Sequence, residues 1–410
     1  MTSADTRALT EQMGTGVMPK LPADVYDDRF ARCRALMAEE GLEVLIVYSA
    51  AMEFAAREWA RYFANYVHPY WNSETFTIIP LEGEPAFLIN YGFMIDAARE
   101  GSPIADVRSP LERFGEAHRY AGLADALDEI LQDRGVKKGP VGLSFNGGQG
   151  DWSPYPLRAV FEELLADSDV RAADDILVRL TLKKTPFDLE MIRRASELMS
   201  DGLSAAFEVA GAGVAEYEPY LTFERVVLEG GADSPLFHYV GQSGPAAHLA
   251  LAPLAATGRR FVSGDFFLID AGICVQGYYA DVTRTAAIGE LSDDGYKLWH
   301  ATQEVVDEMV ALLRPGTRAG DVAIALYDGI KARGYTKSHV LIGHGIGHFV
   351  NEPPFIMPWQ DFILEEDMVI NLEPAIYDDE IGGVRIEDPY IITSNGSERL
   401  TNHDQGPYVA

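Results

Sequence analysis

The chain has almost no cysteine: Cys33 and Cys274 are the only two in 410 residues, and neither belongs to a CxxC or Cys/His cluster. That excludes a disulfide framework and a thiolate-built structural zinc site, and it fits a reducing compartment. Basic residues are also scarce, 33 Lys and Arg against 63 Asp and Glu, for a formal net charge of -30. Such a field repels a phosphate backbone, so nucleic acid is not an expected partner. No stretch approaches the ~18 consecutive apolar residues of a membrane span. The first 20 residues, MTSADTRALTEQMGTGVMPK, carry no apolar core of the kind found in a signal peptide. A cytoplasmic protein with no membrane partner is expected. Short-period repeats and low-complexity tracts are lacking too, which leaves the organisation to periodicity and punctuation.

What is present suits two ordinary globular cores. Hydrophobic residues make up 47% of the chain, and its length exceeds that at which a single core keeps growing. The expected division is an N-terminal extension over 1–20, a mixed α/β domain over 21–180 and a second domain over 181–410. In the first domain, YDDRFARCRALMAEEGL sets Phe30, Cys33, Leu36 and Met37 at helical spacing, and EVLIVYS follows as a strand. ETFTIIP and PAFLIN flank the turn LEGE as a hairpin. YAGLADALDEILQDRG reads as a helix with a glycine stop, and PVGLSF as a strand. The texture changes near residue 185. TPFD offers Thr185 as N-cap, Pro186 at the first helical position and Asp188 to close a capping box, opening a helix with Ile192, Ala195, Met199 and Leu203 on one face. Two more helices, DDGYKLWHATQEVVDEMVALLR and AGDVAIALYDGIKARG, are separated by Pro315 and Gly316.

The hydrophobic stretches of the second domain carry carboxylates. FFLIDAGICVQGYYADVTRT contains Asp270 and Asp281, and a reversal near Val275 to Gly277 predicts the two directly opposite each other on an antiparallel pair. MVINLEPAIYDDEIGGVRIEDPYII repeats the design with Glu373 and Glu387 on either side of an Asp-Asp-Glu-Ile-Gly-Gly turn. Taken singly, each is a solvated strand-face residue, the usual fate of an acidic side chain. Four together in apolar β-rich runs, beside the glycine-flanked His344 of GHGIGHFVNEPP, call for another account, because buried carboxylates are normally paired or bound to metal. Oxygen ligands with one imidazole suit Mn²⁺, Co²⁺, Fe²⁺ or Zn²⁺, and bridging carboxylates hold two ions ~3.5–4 Å apart.

These motifs resemble the pita-bread metallopeptidase superfamily, peptidase family M24, which includes methionine aminopeptidase, aminopeptidase P, prolidase and creatinase. The resemblance rests on Asp270 in LIDAG, Asp281 in YYADVTRT, His344 in GHGIG, Glu373 in NLEPAIY and Glu387 in GGVRIEDP. It implies that these five hold two divalent metal ions and that Glu373 also shuttles a proton. It implies an α/β N-terminal domain joined to an α+β pita-bread catalytic domain. It further implies a homodimer in which one subunit's N-terminal domain helps to close the other's active site. Trp71, in HPYWNSETF, is then a lid or substrate-wall residue, or else an aromatic packed in its own domain.

Departures fall on residues that the family turns toward substrate. The second histidine of the family stands seven residues after the metal histidine, where this chain has Asn351. The usual Pro-His pair after a Ser-Gly stretch is replaced by QSGPAAHLAL, so that His248 is the candidate for that role, or a structural strand histidine. His339, His348, Tyr377 and Arg385 complete the substrate-side candidates, and Thr283 is expected to support the ligands. The function implied is hydrolysis of a C–N bond, in a dipeptide or a small amide, by a hydroxide that bridges the metals. A non-peptidase of the same fold, creatinase-like or a lyase of the dimethylsulfoniopropionate type, is the alternative. A binding module without activity is the third reading, and retention of all five ligand positions weighs against it.

Overall fold

Seven consecutive buried residues, VLIVYSA, make β1 (Val44–Ala50) the centre of the N-terminal sheet, since only a strand covered on both faces reads as an unbroken apolar run. The structure, a computed structural model, describes residues 20–50, 58–68, 73–110, 119–136, 138–145, 155–249, 257–339 and 341–409. Within them the chain divides into two compact units at Thr181/Leu182. No helix among the described residues is long and apolar enough to cross a membrane.

In the first unit β1 pairs antiparallel with β2 (Glu74–Pro80), and β2 with β3 (Ala86–Ile89), which is the hairpin expected around LEGE. Parallel pairings add β4 (Asp106–Arg108), β5 (Pro140–Ser144) and β6 (Asp169–Ala172), giving the order β4-β3-β2-β1-β5-β6. The helices are α1 (Ala23–Glu39), α2 (Glu58–Ala64), α3 (Ile95–Gly101), α4 (Arg119–Asp133), α5 (Tyr155–Leu164) and α6 (Asp174–Leu182). Val44, Ile46, Tyr48 and Ala50 alternate onto one face, where Leu127 and Ile130 of α4 and Leu157 and Phe161 of α5 complete a core.

The second unit opens with α7 (Pro186–Val209). The Asp188 N–H donates to the Thr185 hydroxyl at 3.1 Å, and the Asp188 carboxylate accepts from the Thr185 N–H at 2.9 Å, a complete capping box. Ile192, Ala195, Met199 and Leu203 all lie buried along the inward face of the helix. Further helices are α8 (Tyr217–Glu229), α9 (Asp293–Val310) and α10 (Ala319–Ala332). The strands are β7 (Asp233–Ser243), β8 (Phe266–Val275), β9 (Tyr278–Ala287), β10 (Gly343–Gly345), β11 (Val369–Leu372), β12 (Ala375–Asp378), β13 (Gly382–Arg385), β14 (Asp388–Thr393), β15 (Gly396–Arg399) and β16 (Tyr408–Val409). They form the sheets β16-β9-β8-β7 and β10-β11-β14-β15 and the ribbon β12-β13. Leu298, Trp299 and Met309 of α9 and Val322 and Leu326 of α10 share one core with Phe266, Ile370, Leu372, Val384 and Ile392 of the strands.

Two registers position the carboxylates. β8 and β9 turn on Gln276 and Gly277, both at positive φ (53° and 84°), as a tight two-residue hairpin turn requires. That turn pairs Asp270 with Thr283 and Gly272 with Asp281. Direct opposition of the two aspartates is therefore corrected. They share a face but stand two residues apart along the ladder, a diagonal at which Cα atoms are ~7–8 Å apart. The turn centre decides this, and a shift of one residue in it moves every pair. In the other ladder, Leu372 faces Asp388 and Ala375 faces Arg385 in one continuous register, so Glu373 and Glu387 stand across from each other between those pairs.

Candidate metal centre

His344 is placed by glycines. A Cβ at residue 343 would sit 2.4 Å from the Asn371 carbonyl, and one at 345 would sit 2.5 Å from that of Pro353, so only glycine lets β10 approach both segments. The His344 Nδ1–H donates to the Gly345 carbonyl at 3.0 Å, which leaves the Nε2 lone pair as the coordinating atom. Around Nε2 lie Asp281 Oδ2 and Glu373 Oε1, each at 3.8 Å, and Glu387 Oε1 at 4.0 Å. Ligand atoms of Asp281, His344 and Glu387, all buried, fall within 4.8 Å of one another. Asp270 enters from β8, where it is ion-paired with Arg385.

The electrostatics are those of a cation site. Burial, then repulsion from Asp270 and Glu373, pushes the Asp281 carboxyl well above the usual range. Burial, then Asp281, Glu373 and Asp270, does the same to Glu387. Burial lowers His344 against the pull of Glu373, which favours the neutral, ligating imidazole. Asp281 Oδ1 and Glu373 Oε1 are buried without a hydrogen-bond partner among the described residues. Orphaned acceptors among mutually repelling carboxylates are what divalent cations satisfy, so the donor set fits metal.

A polar shell fixes these groups. Thr283 donates its hydroxyl to Glu387 Oε2 and accepts from Arg385 Nε at 3.1 Å. Asn371, the cross-strand partner of His344, donates to Glu387 Oε1 at 2.6 Å. Arg284, wholly buried, donates to the carbonyls of Glu387 at 2.7 Å and Thr283 at 2.9 Å and pairs with Asp388 at 2.5 Å. Asn371 and Arg284 belong to none of the motifs that mark the other site residues. The available signal was a polar residue inside an apolar strand, MVINLEP and ADVTRTAA respectively.

The substrate-side candidates separate. His339 comes to the site, its Nδ1 3.3 Å from Glu373 Oε2 and 2.7 Å from the Leu341 carbonyl. His348 does not. Its Nδ1 lies 3.3 Å from the Gly277 carbonyl and its Nε2 3.5 Å from Asp188, with its ring 4.3 Å from that of Tyr278. Those neighbours set it in a buried cluster with Asp188 and Tyr278. Arg385 comes to the centre through Asp270, and it and Tyr377 are 0% and 1% exposed, with the Tyr377 hydroxyl accepting from Arg385 at 3.4 Å. Asn351 is half-buried in the loop after His348. His248 is half-buried in the turn after Gly244–Ala246, next to Ala247, whose carbonyl lies over Gly383. Trp71 lies outside the described residues.

The family model for metallopeptidase family M24 matches residues 190–394, half of the chain, and covers every residue of the centre. The chain belongs to metallopeptidase family M24. It is a metal-dependent hydrolase with divalent ions as cofactor and a pita-bread catalytic fold. It is 31% identical over 252 residues to an Xaa-Pro dipeptidase of Pyrococcus furiosus, spanning 61% of this chain and 72% of the relative. A prolidase structure from the same organism superposes with a TM-score of 0.72 at 26% identity, covering 90% of this chain and 99% of the other. The fold also matches an X-Pro aminopeptidase of Thermotoga maritima, with a TM-score of 0.80 at 23% identity, over 93% and 99% of the two chains.

Proposed function

We propose that the protein hydrolyses a C–N bond in a dipeptide or small amide, using two divalent ions drawn from Mn, Co, Fe and Zn. Asp270, Asp281, His344, Glu373 and Glu387 would hold them. The observation that carries the reading is the convergence of Asp281, Glu373 and Glu387 on His344 Nε2, with one oxygen each of Asp281 and Glu373 left without a partner. Bound divalent ions supply an activated water and polarise a carbonyl. Glu373 would take the proton released in the attack and return it to the leaving nitrogen, and His339, 3.3 Å from Glu373 Oε2, would orient its carboxylate. Arg385 neutralises Asp270 and holds it in place. His248 and Asn351 act on the substrate, and Asn351 does so as an orienting amide, since it cannot carry a proton as imidazole does.

The Xaa-Pro dipeptidase relatives support a dipeptide as substrate. Asn351 favours a second reading, a non-peptidase that acts on a small polar metabolite by C–N hydrolysis or elimination. We further propose a cytoplasmic homodimer, with an α/β domain over 21–180 and a catalytic domain over 181–410.

The test is elemental analysis of reconstituted protein, followed by assays on Xaa-Pro dipeptides, N-acyl amides and sulfonium or ammonium propionates. About two ions per chain and amide hydrolysis, both lost in Asp281→Ala, are expected. A reconstituted protein that binds no metal overturns the reading, and elimination without hydrolysis selects the lyase.

A further inference from the structure

Behind the metal centre lies a second group of buried charges that the proposed chemistry does not use. Lys184 Nζ sits 2.5 Å from Glu352 Oε1, with side chains 2% and 3% exposed. Asp188 is close by, accepting from the Tyr278 hydroxyl at 2.6 Å and facing His348 Nε2 at 3.5 Å. The two halves of the ion pair are 168 residues apart in sequence.

The connection to His344 runs through one carbonyl. The Gly345 C=O accepts from His344 Nδ1 at 3.0 Å and also from the Glu352 backbone N–H at 2.9 Å. The Gly345 N–H donates to the Pro354 carbonyl at 2.9 Å, so the segment after Glu352 is tied down as well. Lys184 is anchored in turn: its own N–H donates to Asp367 O at 2.9 Å, just before β11, the strand that pairs with β10. Its stem lies flat on the loop, where a Cβ at Gly347 would come within 2.7 Å of Lys184 Cε.

We propose that Lys184 and Glu352 are positioning residues that hold the Gly345 carbonyl against His344 Nδ1, and so fix the tautomer and direction of the imidazole. The inference rests on His344 being a metal ligand, as proposed above. A buried ion pair adds little net stability over apolar residues of similar volume, so stability alone is a poor account of its retention. Ligating histidines depend on the partner of their second nitrogen, and loss of such partners typically lowers metal affinity ~10–100-fold.

The experiment uses Lys184→Met/Glu352→Leu, in which both charges go together and no lone buried charge remains. Lys184→Arg is the conservative control. Two measurements are made on the full chain. The first is the His344 Nδ1–H resonance of metal-free, ¹⁵N-histidine-labelled protein, assigned by its loss in His344→Gln. The second is Co²⁺ binding, read by affinity and visible spectrum. The expected result is a protein that melts near the wild-type temperature without metal, whose Nδ1–H signal is broadened or lost and whose Co²⁺ affinity falls ~10–100-fold. Lys184→Arg is expected to restore the signal at least in part. A folded double variant with the wild-type resonance and wild-type Co²⁺ affinity overturns the inference. If wild-type protein binds no Co²⁺, the metal reading fails, and the resonance alone then decides whether the pair holds His344.

Discussion

Thr283 and Glu387 are joined twice: the Thr283 hydroxyl donates to Glu387 Oε2, and the Glu387 N–H donates to the Thr283 carbonyl at 3.1 Å. The contact stitches β9 to the segment between β13 and β14 where the carboxylates meet, and Thr283 also accepts from Arg385 Nε. Thr283→Val keeps the shape and removes the hydroxyl, leaving Glu387 Oε2 and Arg385 Nε each short of a partner. Divalent-metal affinity is expected to fall ~10–100-fold with the fold retained. Titration of the metal-free protein checks this, and unchanged affinity counts against a supporting role for Thr283.

Arg385 is the only cation ion-paired with Asp270 among the described residues. Burial raises the Asp270 carboxyl first, and the Arg385 charge works against that rise. Arg385→Met removes the counter-charge and leaves a half-buried carboxylate without it. Breaking such a pair costs ~3–5 kcal/mol. Urea unfolding of metal-free protein at neutral pH is expected to show a loss of that order, with part recovered on adding a divalent ion. A loss below about 1 kcal/mol contradicts the assignment.

His403 gives a pH test outside the metal centre. Burial, reinforced by the charge of Arg284, pushes its imidazole down to about 4, against an ordinary ~6.5. Between those values the unfolded chain binds the proton and the folded chain does not. The stability His403 contributes is therefore complete above pH ~6.5 and is lost as pH falls to about 4, by up to ~3 kcal/mol. The slope of unfolding free energy over that window is expected to flatten in His403→Leu. An equal slope in both proteins rejects the assignment.

Much of this was legible because its determinants are local. The Thr185 capping box needs four residues, and each metal-site position sits in a short run whose strand character or flanking glycines show directly. What escaped depends on distant partners or on a single turn. The sequence pattern puts Asp270 and Asp281 on the right face but in the wrong pairing, since the pairing depends on which two residues make the turn. The cluster around His348 leaves no local signal, because its neighbours Asp188 and Gly277 lie 160 and 71 residues away in sequence. Tyr377 and Arg385 are substrate-side candidates by sequence, and the fold adds that both are buried, with Arg385 against Asp270. The Lys184–Glu352 pair leaves no sequence signal, because neither residue stands in a pattern that names the other.

Asn351 bears most directly on the substrate. It stands seven residues after His344, half-buried, where an imidazole in the peptidases of this family contributes a donor to the developing oxyanion. A carboxamide also donates a hydrogen bond, so binding and orientation survive, but it cannot carry positive charge or deliver a proton. General acid-base groups typically contribute ~10²–10⁴-fold, so wild-type cleavage of Met-Pro and Ala-Pro is expected to be slow by a comparable factor. Asn351→His is expected to raise that dipeptidase activity, or to lower activity on a small non-peptide substrate, without changing the metal content, because residue 351 is not among the proposed ligands. Steady-state kinetics on both substrate classes, with metal analysis of each preparation, makes the comparison. If wild-type protein turns over Met-Pro or Ala-Pro rapidly and Asn351→His leaves the rate unchanged, residue 351 plays no part in proton transfer, and the dipeptide reading stands without it.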